Sequence, residues 1–211
     1  MKLLYKILFF IFVTNLFSCK TSITFNEPQP VGIKNLSTLP QSLKGQYFSC
    51  SDSSTLLVES KIIQRIYDFN FKIHKNQLDS NQVLIGDTLI DNQTKERTLI
   101  ICNGDSLIIH LHYIDTLFQL NYDNPVRKFK GYYFLNINHD KVGWEVKKIY
   151  LKKGQLKISS VSTKQDLEIL KEIIESPIDT VPPYKFTVSK KQFKKFIKSN
   201  GFSDEELFIR K

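Results

Sequence analysis

The sequence contains no alanine, a single Met, a single Trp and only three cysteines. Alanine is the best helix former, whereas β-branched and aromatic residues suit a pleated, half-buried surface. A chain without alanine that is rich in Ile, Phe and Tyr therefore leans towards strands. Glycine is also scarce, at eight residues placed mostly in turn-like contexts, which leaves little for a catalytic loop. No G-x-S-x-G elbow, no phosphate-cradling glycine loop and no H-E-x-x-H helix occurs, so the recognisable signatures of nucleophilic, nucleotide and zinc hydrolase chemistry are missing. No catalytic residue and no cofactor is assigned from the sequence.

The charge is uneven. The formal net charge is +9, yet residues 19 to 140 balance twelve basic against twelve acidic side chains, and the excess falls in residues 141 to 211. Those lysines are interleaved with acids rather than stacked in a block, which reads as a solvated face and not as a nucleic-acid site.

The N-terminus has an address. Lys2 and Lys6 precede an unbroken apolar run from Ile7 to Val13, followed by Leu16-Phe17-Ser18-Cys19. A charged start, a short apolar run and a small residue before a cut form a secretory signal over residues 1 to 18, too short for a comfortable membrane span. The four residues Leu16 to Cys19 resemble a bacterial lipobox, and this resemblance implies a diacylglyceryl group on the Cys19 thiol after cleavage. Phe17 is bulkier than the usual occupant of its position. With Lys20 rather than aspartate following, the resemblance implies an outer-membrane lipoprotein facing the periplasm. In leader, composition and the stretch Lys130-Gly131-Tyr132-Tyr133-Phe134-Leu135-Asn136, the chain is similar to lipoproteins of Bacteroidota, a likeness that carries no activity. Residues 19 to 38, with Pro28, Pro30 and Gly32 among polar residues, read as a lipidated tether.

Cys50 and Cys102 are then the only remaining pair. In an oxidising compartment they either form a disulfide, closing a loop of about fifty residues and stabilising by roughly 4 kcal/mol, or stay as buried free thiols.

At 211 residues the chain suffices for one ordinary domain or two small ones. Residues 39 to 211 read as a mainly β, α+β domain: an antiparallel meander or small barrel with two or three C-terminal helices. Tyr67, Phe69, Phe71 and Ile73 alternate with Asp68, Asn70, Lys72 and His74, predicting a strand whose aromatic face is core. Asn103-Gly104 and Lys153-Gly154 predict tight hairpins. Asp87-Thr88-Leu89, Asp105-Ser106-Leu107 and Asp115-Thr116-Leu117 read as turn-then-strand punctuation. Lys44-Gly45-Gln46-Tyr47-Phe48 and Lys130-Gly131-Tyr132-Tyr133-Phe134 share K-G-x-Y-F and suggest two similar β halves, 43 to 125 and 129 to 211. The stretch Leu39-Pro40-Gln41-Ser42-Leu43-Lys44-Gly45-Gln46-Tyr47-Phe48 also resembles the entrance of lipocalin-like barrels.

Helices are expected late. Thr163 with Asp166, and Ser189 with Gln192, form capping boxes before apolar stripes. The first is expected to stop before Pro177, the second at Gly201, and Ser203 with Glu206 to open a last turn. The stripe Phe193, Phe196 and Ile197 suits docking onto the sheet better than insertion into a membrane.

His110 and His112 share one face of a strand and are the metal-ligand candidates, with His139 or Asp140 as a third ligand. The leading function is a membrane-anchored, non-enzymatic binding module for an envelope protein or a small apolar or glycan ligand. The alternative is an envelope hydrolase. Replacing Cys19→Ala is expected to move the protein into the aqueous phase of a detergent extraction, and unchanged partitioning would overturn the lipid anchor.

Overall fold

The computed structural model describes residues 23–174 and 182–211; the leader, Cys19 and the approach to Pro177 lie outside the described residues. The chain divides into two units, the first of residues 1–40 and 120–207, the second of residues 41–119 and 208–211. In chain order, β1 (Ile23–Phe25) and β2 (Asn35–Leu36) belong to the first unit. The second unit follows with β3 (Gly45–Ser49), β4 (Thr55–Val58), β5 (Ile62–His74), β6 (Gln82–Ile85), β7 (Thr88–Asp91), β8 (Arg97–Asn103) and β9 (Ser106–Gln119). The chain then returns to the first unit through β10 (Val126–Phe129), β11 (Tyr132–Asn138), β12 (Trp144–Lys152), β13 (Gln155–Ser160), α1 (Lys164–Ile174), β14 (Tyr184–Phe186) and α2 (Lys190–Lys198). The last strand, β15 (Asp204–Arg210), starts in the first unit and ends in the second.

The protein is mainly β and antiparallel, as composition and period imply, and the sheet does not close into a barrel. In the first unit the order β2-β10-β11-β12-β13 is open at β2, and β1 pairs with both β12 and β14. In the second, Phe208–Arg210 pairs with β3, and the order β3-β4-β5-β9-β8-β7-β6 is open at β6. The barrel alternative and the lipocalin-like entrance fall with those open edges.

Turn chemistry accounts for the hairpins. Lys153 and Gly154 are the two central residues between Lys152 and Gln155, both at positive φ, a type I′ turn. The other hairpin is shifted by one residue: Asn103 still pairs with Ser106, so Gly104 and Asp105 are central and only Gly104 has positive φ, the type II′ pattern. Asp87 and Asp105 follow a turn glycine, as punctuation should. Asp115-Thr116-Leu117 instead lies within β9, where Ile63 pairs with Phe118 and Gln64 with Thr116, so that Leu117 is the extra residue of a bulge.

The shared K-G-x-Y-F stretches play different parts. Lys130 and Gly131 are the central residues of the β10–β11 turn, whereas Gly45 lies within β3. The buried aromatic is Tyr47 in one and Phe134 in the other, one position out of register. Such a shift puts opposite faces towards the core, and the match does not mark equivalent halves.

The core of the first unit is an aromatic cluster under the two helices. Phe193 on α2 is fully buried and meets Phe134 edge-on at 5.1 Å, Phe202 at 5.9 Å and Phe25 at 6.2 Å between ring centroids. The capping box of α2 forms: the Gln192 N–H donates to Ser189 Oγ at 3.3 Å and the Ser189 N–H to Gln192 Oε1 at 3.0 Å. On α1, Leu167, Leu170 and Ile173 are buried, while Ile174 is half-buried. Asp166 is itself buried and accepts from the Ser162, Thr163 and Ser203 N–H groups at 3.1 to 3.3 Å. Two expectations at this end are corrected. After α2 the left-handed residue is Asn200, not Gly201, and Gly201 is needed because a Cβ there would lie 2.3 Å from the Phe196 ring. Ser203 opens no helix; Asp204 onward is β15.

The tether reading is corrected from Ile23 onward. Ile23, Thr24 and Phe25 are buried in β1, whose three residues pair in parallel with Tyr184, Lys185 and Phe186. Buried Asn136 donates from Nδ2 to the Gln29 and Pro125 carbonyls at 3.0 and 3.2 Å, and the Gln29 N–H donates back to Asn136 Oδ1. Arg127 donates to the Pro28 and Pro30 carbonyls and to Asn35 Oδ1. The proline-rich composition mimics a linker because its backbone groups are paired with side chains rather than with a ladder. Asn136→Ala leaves the Gln29 N–H and two carbonyls buried without that partner, and is expected to destabilise the fold by about 2 to 4 kcal/mol in denaturant unfolding. A loss below about 0.5 kcal/mol would show that Asn136 does not hold this segment.

Candidate functional site

The second unit is built around the pairing of β5 with β9, continuous from His74↔Ser106 to Gln64↔Thr116. Alternation along it is as the sequence predicts, but the aromatic face is not core. Phe69 is 48% exposed, Phe71 49% and Tyr113 61%, with Leu111 beside them also exposed. Phe69 lies opposite Leu111, and Tyr67 opposite Tyr113 with ring centroids 6.0 Å apart, so these side chains form one continuous apolar surface. At the hairpin end this face is covered: Leu89, Ile100, Leu107 and Ile109 make a small buried cluster. The opposite face exposes apolar side chains too, with Ile101 at 66% and Leu99 at 72%, and so do Val83 and Ile85 on the edge strand β6. Monomers seldom leave large contiguous apolar patches in water, and such patches mark contact sites.

On the polar face, His110 and His112 both point at Asp68 on β5. His110 Nε2 lies 3.5 Å from Asp68 Oδ1, His112 Nδ1 3.4 Å from Asp68 Oδ2, and His110 Nδ1 3.2 Å from Asn70 Oδ1. The acidic neighbour of the two imidazoles is thus Asp68, a cross-strand partner that the one-strand pattern does not reveal. His139, the other candidate for a third ligand with Asp140, instead meets Glu145 at 3.0 Å in the first unit. Among the described residues no group of three or more His, Cys, Asp or Glu side chains is arranged to hold a metal ion.

Beside the aromatic face, Asp52, Ser53, Ser54, Tyr67, Asp68 and Phe69 line a cleft of about 290 Å³. Partial burial pushes the Asp52 carboxyl up, but this is outweighed by hydrogen bonds from the Ser54 and Ser49 hydroxyls and the Ser54 N–H and by the Arg65 charge, which together hold it below its usual value. Ser54 Oγ donates to Asp52 Oδ1 at 2.6 Å, and Arg65 Nε is 3.8 Å from Oδ2. The carboxylate is therefore favoured in the folded protein, and its stabilising contribution is present at neutral pH and lost as pH falls through the lowered folded value. This group orders the β3–β4 turn.

Cys50 and Cys102 are free, and both are exposed rather than buried. The topology shows why they do not pair. Cys50 follows β3 and Cys102 lies on β8, four strand steps away in the order β3-β4-β5-β9-β8. At about 4.8 Å per step this is roughly 19 Å, far beyond the span of about 7 Å that a disulfide tolerates.

Among the described residues no helix is long and apolar enough to cross a membrane. Comparison with known protein families, curated proteins and solved structures finds no match. In the native protein both Cys50 and Cys102 are expected to react with a thiol reagent without denaturant. Reaction only after reduction would restore the disulfide.

Proposed function

We propose that the chain is an envelope lipoprotein, anchored by acylated Cys19 at the periplasmic side of the outer membrane, whose second unit is a non-enzymatic module for holding a protein partner. The observation that carries this reading is the solvent-exposed row Phe69, Phe71, Leu111 and Tyr113 on paired strands. Covering the exposed half of each such side chain stabilises a complex by about 1 kcal/mol. A handful of aromatics at the centre of a patch is the usual anchor of an interface. The shape of the surface favours a protein over a small ligand. The row lies on the face of a sheet, and the adjoining cleft of about 290 Å³ is at or below the size that encloses a small molecule. Edge strand β6 adds unpaired backbone groups and exposed Val83 and Ile85, which suit strand addition by a partner.

A photo-crosslinking residue placed at Phe71 or Leu111 in living cells is expected to give one discrete protein adduct. The same residue at exposed Lys130 in the first unit should give none. Loss of the adduct on Phe69→Lys, with folding intact by circular dichroism, would support the module; equal adducts at all sites, or none at any, would overturn it.

A further inference from the structure

The first unit carries a surface that the apolar module does not use. On α2, Lys191, Lys194, Lys195 and Lys198 fall within about a quarter of the helical circumference at 100° per residue. They lie opposite Phe193 and Phe196, which are fully buried. The α2 helix contains no acidic residue, and among the described residues none of these four lysines makes an ion pair. With Ile173 and Ile174 of α1 they line an open groove of about 690 Å³. Both phenylalanines are committed to the core and Ile197 packs half-buried against it, so the apolar side chains of this helix face the unit rather than outward. Its outward chemistry is cationic.

The position of this surface follows from the chain. Only Lys20, Thr21 and Ser22 separate Cys19 from β1, so the Cys19 Cα lies within about 14 Å of the Ile23 Cα even at full extension. Ile23 pairs with Tyr184, and Lys171 Nζ of α1 sits 5.1 Å from the Tyr184 ring, two and three residues before Ile173 and Ile174 at the groove. The basic groove, the C-terminal turn of α1 and the strand that follows Cys19 in sequence therefore belong to the same unit.

We infer that the lysine face of α2 is a docking surface for the headgroups of anionic phospholipids, seated on the bilayer by the short link to Cys19. The inference rests on the lipid-anchor reading for its placement, while the headgroup chemistry stands on the lysines alone. Phosphodiester headgroups attract ammonium groups without demanding a shaped pocket, and several lysines near a charged bilayer act together within a Debye length. A diacylglyceryl anchor already brings two acyl chains, so the lysines add orientation of the unit on the bilayer rather than the attachment itself.

The test uses unlipidated chain of residues 20–211, which keeps every described element. Mixed with vesicles of phosphatidylcholine containing 30 mol% phosphatidylglycerol at low salt, it is expected to co-sediment at least tenfold more than with pure phosphatidylcholine vesicles, and to be released by 0.5 M NaCl. Lys191→Gln, Lys195→Gln and Lys198→Gln together should lower binding at least tenfold with the circular dichroism spectrum unchanged. The control triple Lys72→Gln, Lys75→Gln and Lys95→Gln in the second unit should bind like the parent. Equal binding to both vesicle types, or equal loss in both triples, overturns the inference. The anchor is read separately, by incorporation of labelled palmitate into the full chain and its loss in Cys19→Ala. Failure there with intact vesicle binding would remove the lipid anchor and leave the headgroup surface.

Discussion

The register of β5 against β9 is the constraint on which the second unit depends. Side chains alternate with a period of two, so a slip of one residue would exchange the faces of a whole strand. In the observed register Phe69 faces Leu111 and Asp68 faces His112, which sorts a continuous apolar row from a polar one. The bulge at Leu117 sets this register at the open end of the hairpin, and the type II′ turn at Gly104 and Asp105 sets it at the closed end. Between those two fixed points a slip would only exchange the aromatics with the histidines and Asp68, which are themselves exposed. Register therefore decides that the aromatics share one face, and the row is exposed because no layer among the described residues covers that face along Phe69, Phe71 and Tyr113.

The first unit solves the opposite problem, too many aromatics for a thin sheet, by bringing helices over them. Phe193 is the common contact of Phe25, Phe134 and Phe202, so one helix residue ties β1, β11 and the segment leading into β15. Edge-on ring contacts of this kind contribute about 0.5 to 1.5 kcal/mol each beyond area burial. The same cluster explains why the N-terminal segment is part of the fold. Phe25 is fully buried within it, and the Gln29 backbone exchanges two hydrogen bonds with the Asn136 side chain.

Local chemistry was legible in the sequence, and coverage was not. Strand alternation, the Lys153-Gly154 turn and both capping boxes depend on neighbours within a few residues, and the structure contains them. Which face of a strand is covered depends on residues far away, so the aromatic alternation at Tyr67 to Ile73 gave the right faces and the wrong burial. The four strand steps that separate Cys50 from Cys102 are likewise invisible to a count of cysteines. Pro28, Pro30 and Gly32 read as linker because side-chain partners such as Arg127 and Asn136, about a hundred residues away, leave no periodic trace. Ser203 with Glu206 mimics a cap, yet Phe208, Ile209 and Arg210 find ladder partners on β3 and draw the segment into a strand. The spacing of His110 and His112 shows in the strand pattern, but their carboxylate neighbour Asp68 follows only from the cross-strand register.

Charge separates the two units in the same way as burial does. The second unit holds as many acidic as basic residues, while the first carries the whole basic excess of the chain. A neutral surface with exposed aromatics is not held away from a protein partner by long-range repulsion, and its selectivity must come from shape and desolvation at the patch. A lysine-rich surface whose nearby apolar residues are buried is drawn to anionic groups but gains little from apolar ones. One chain thus joins two surfaces of different chemistry, a lysine-rich one on the first unit that favours anionic groups and a neutral one on the second whose exposed aromatics favour apolar contact.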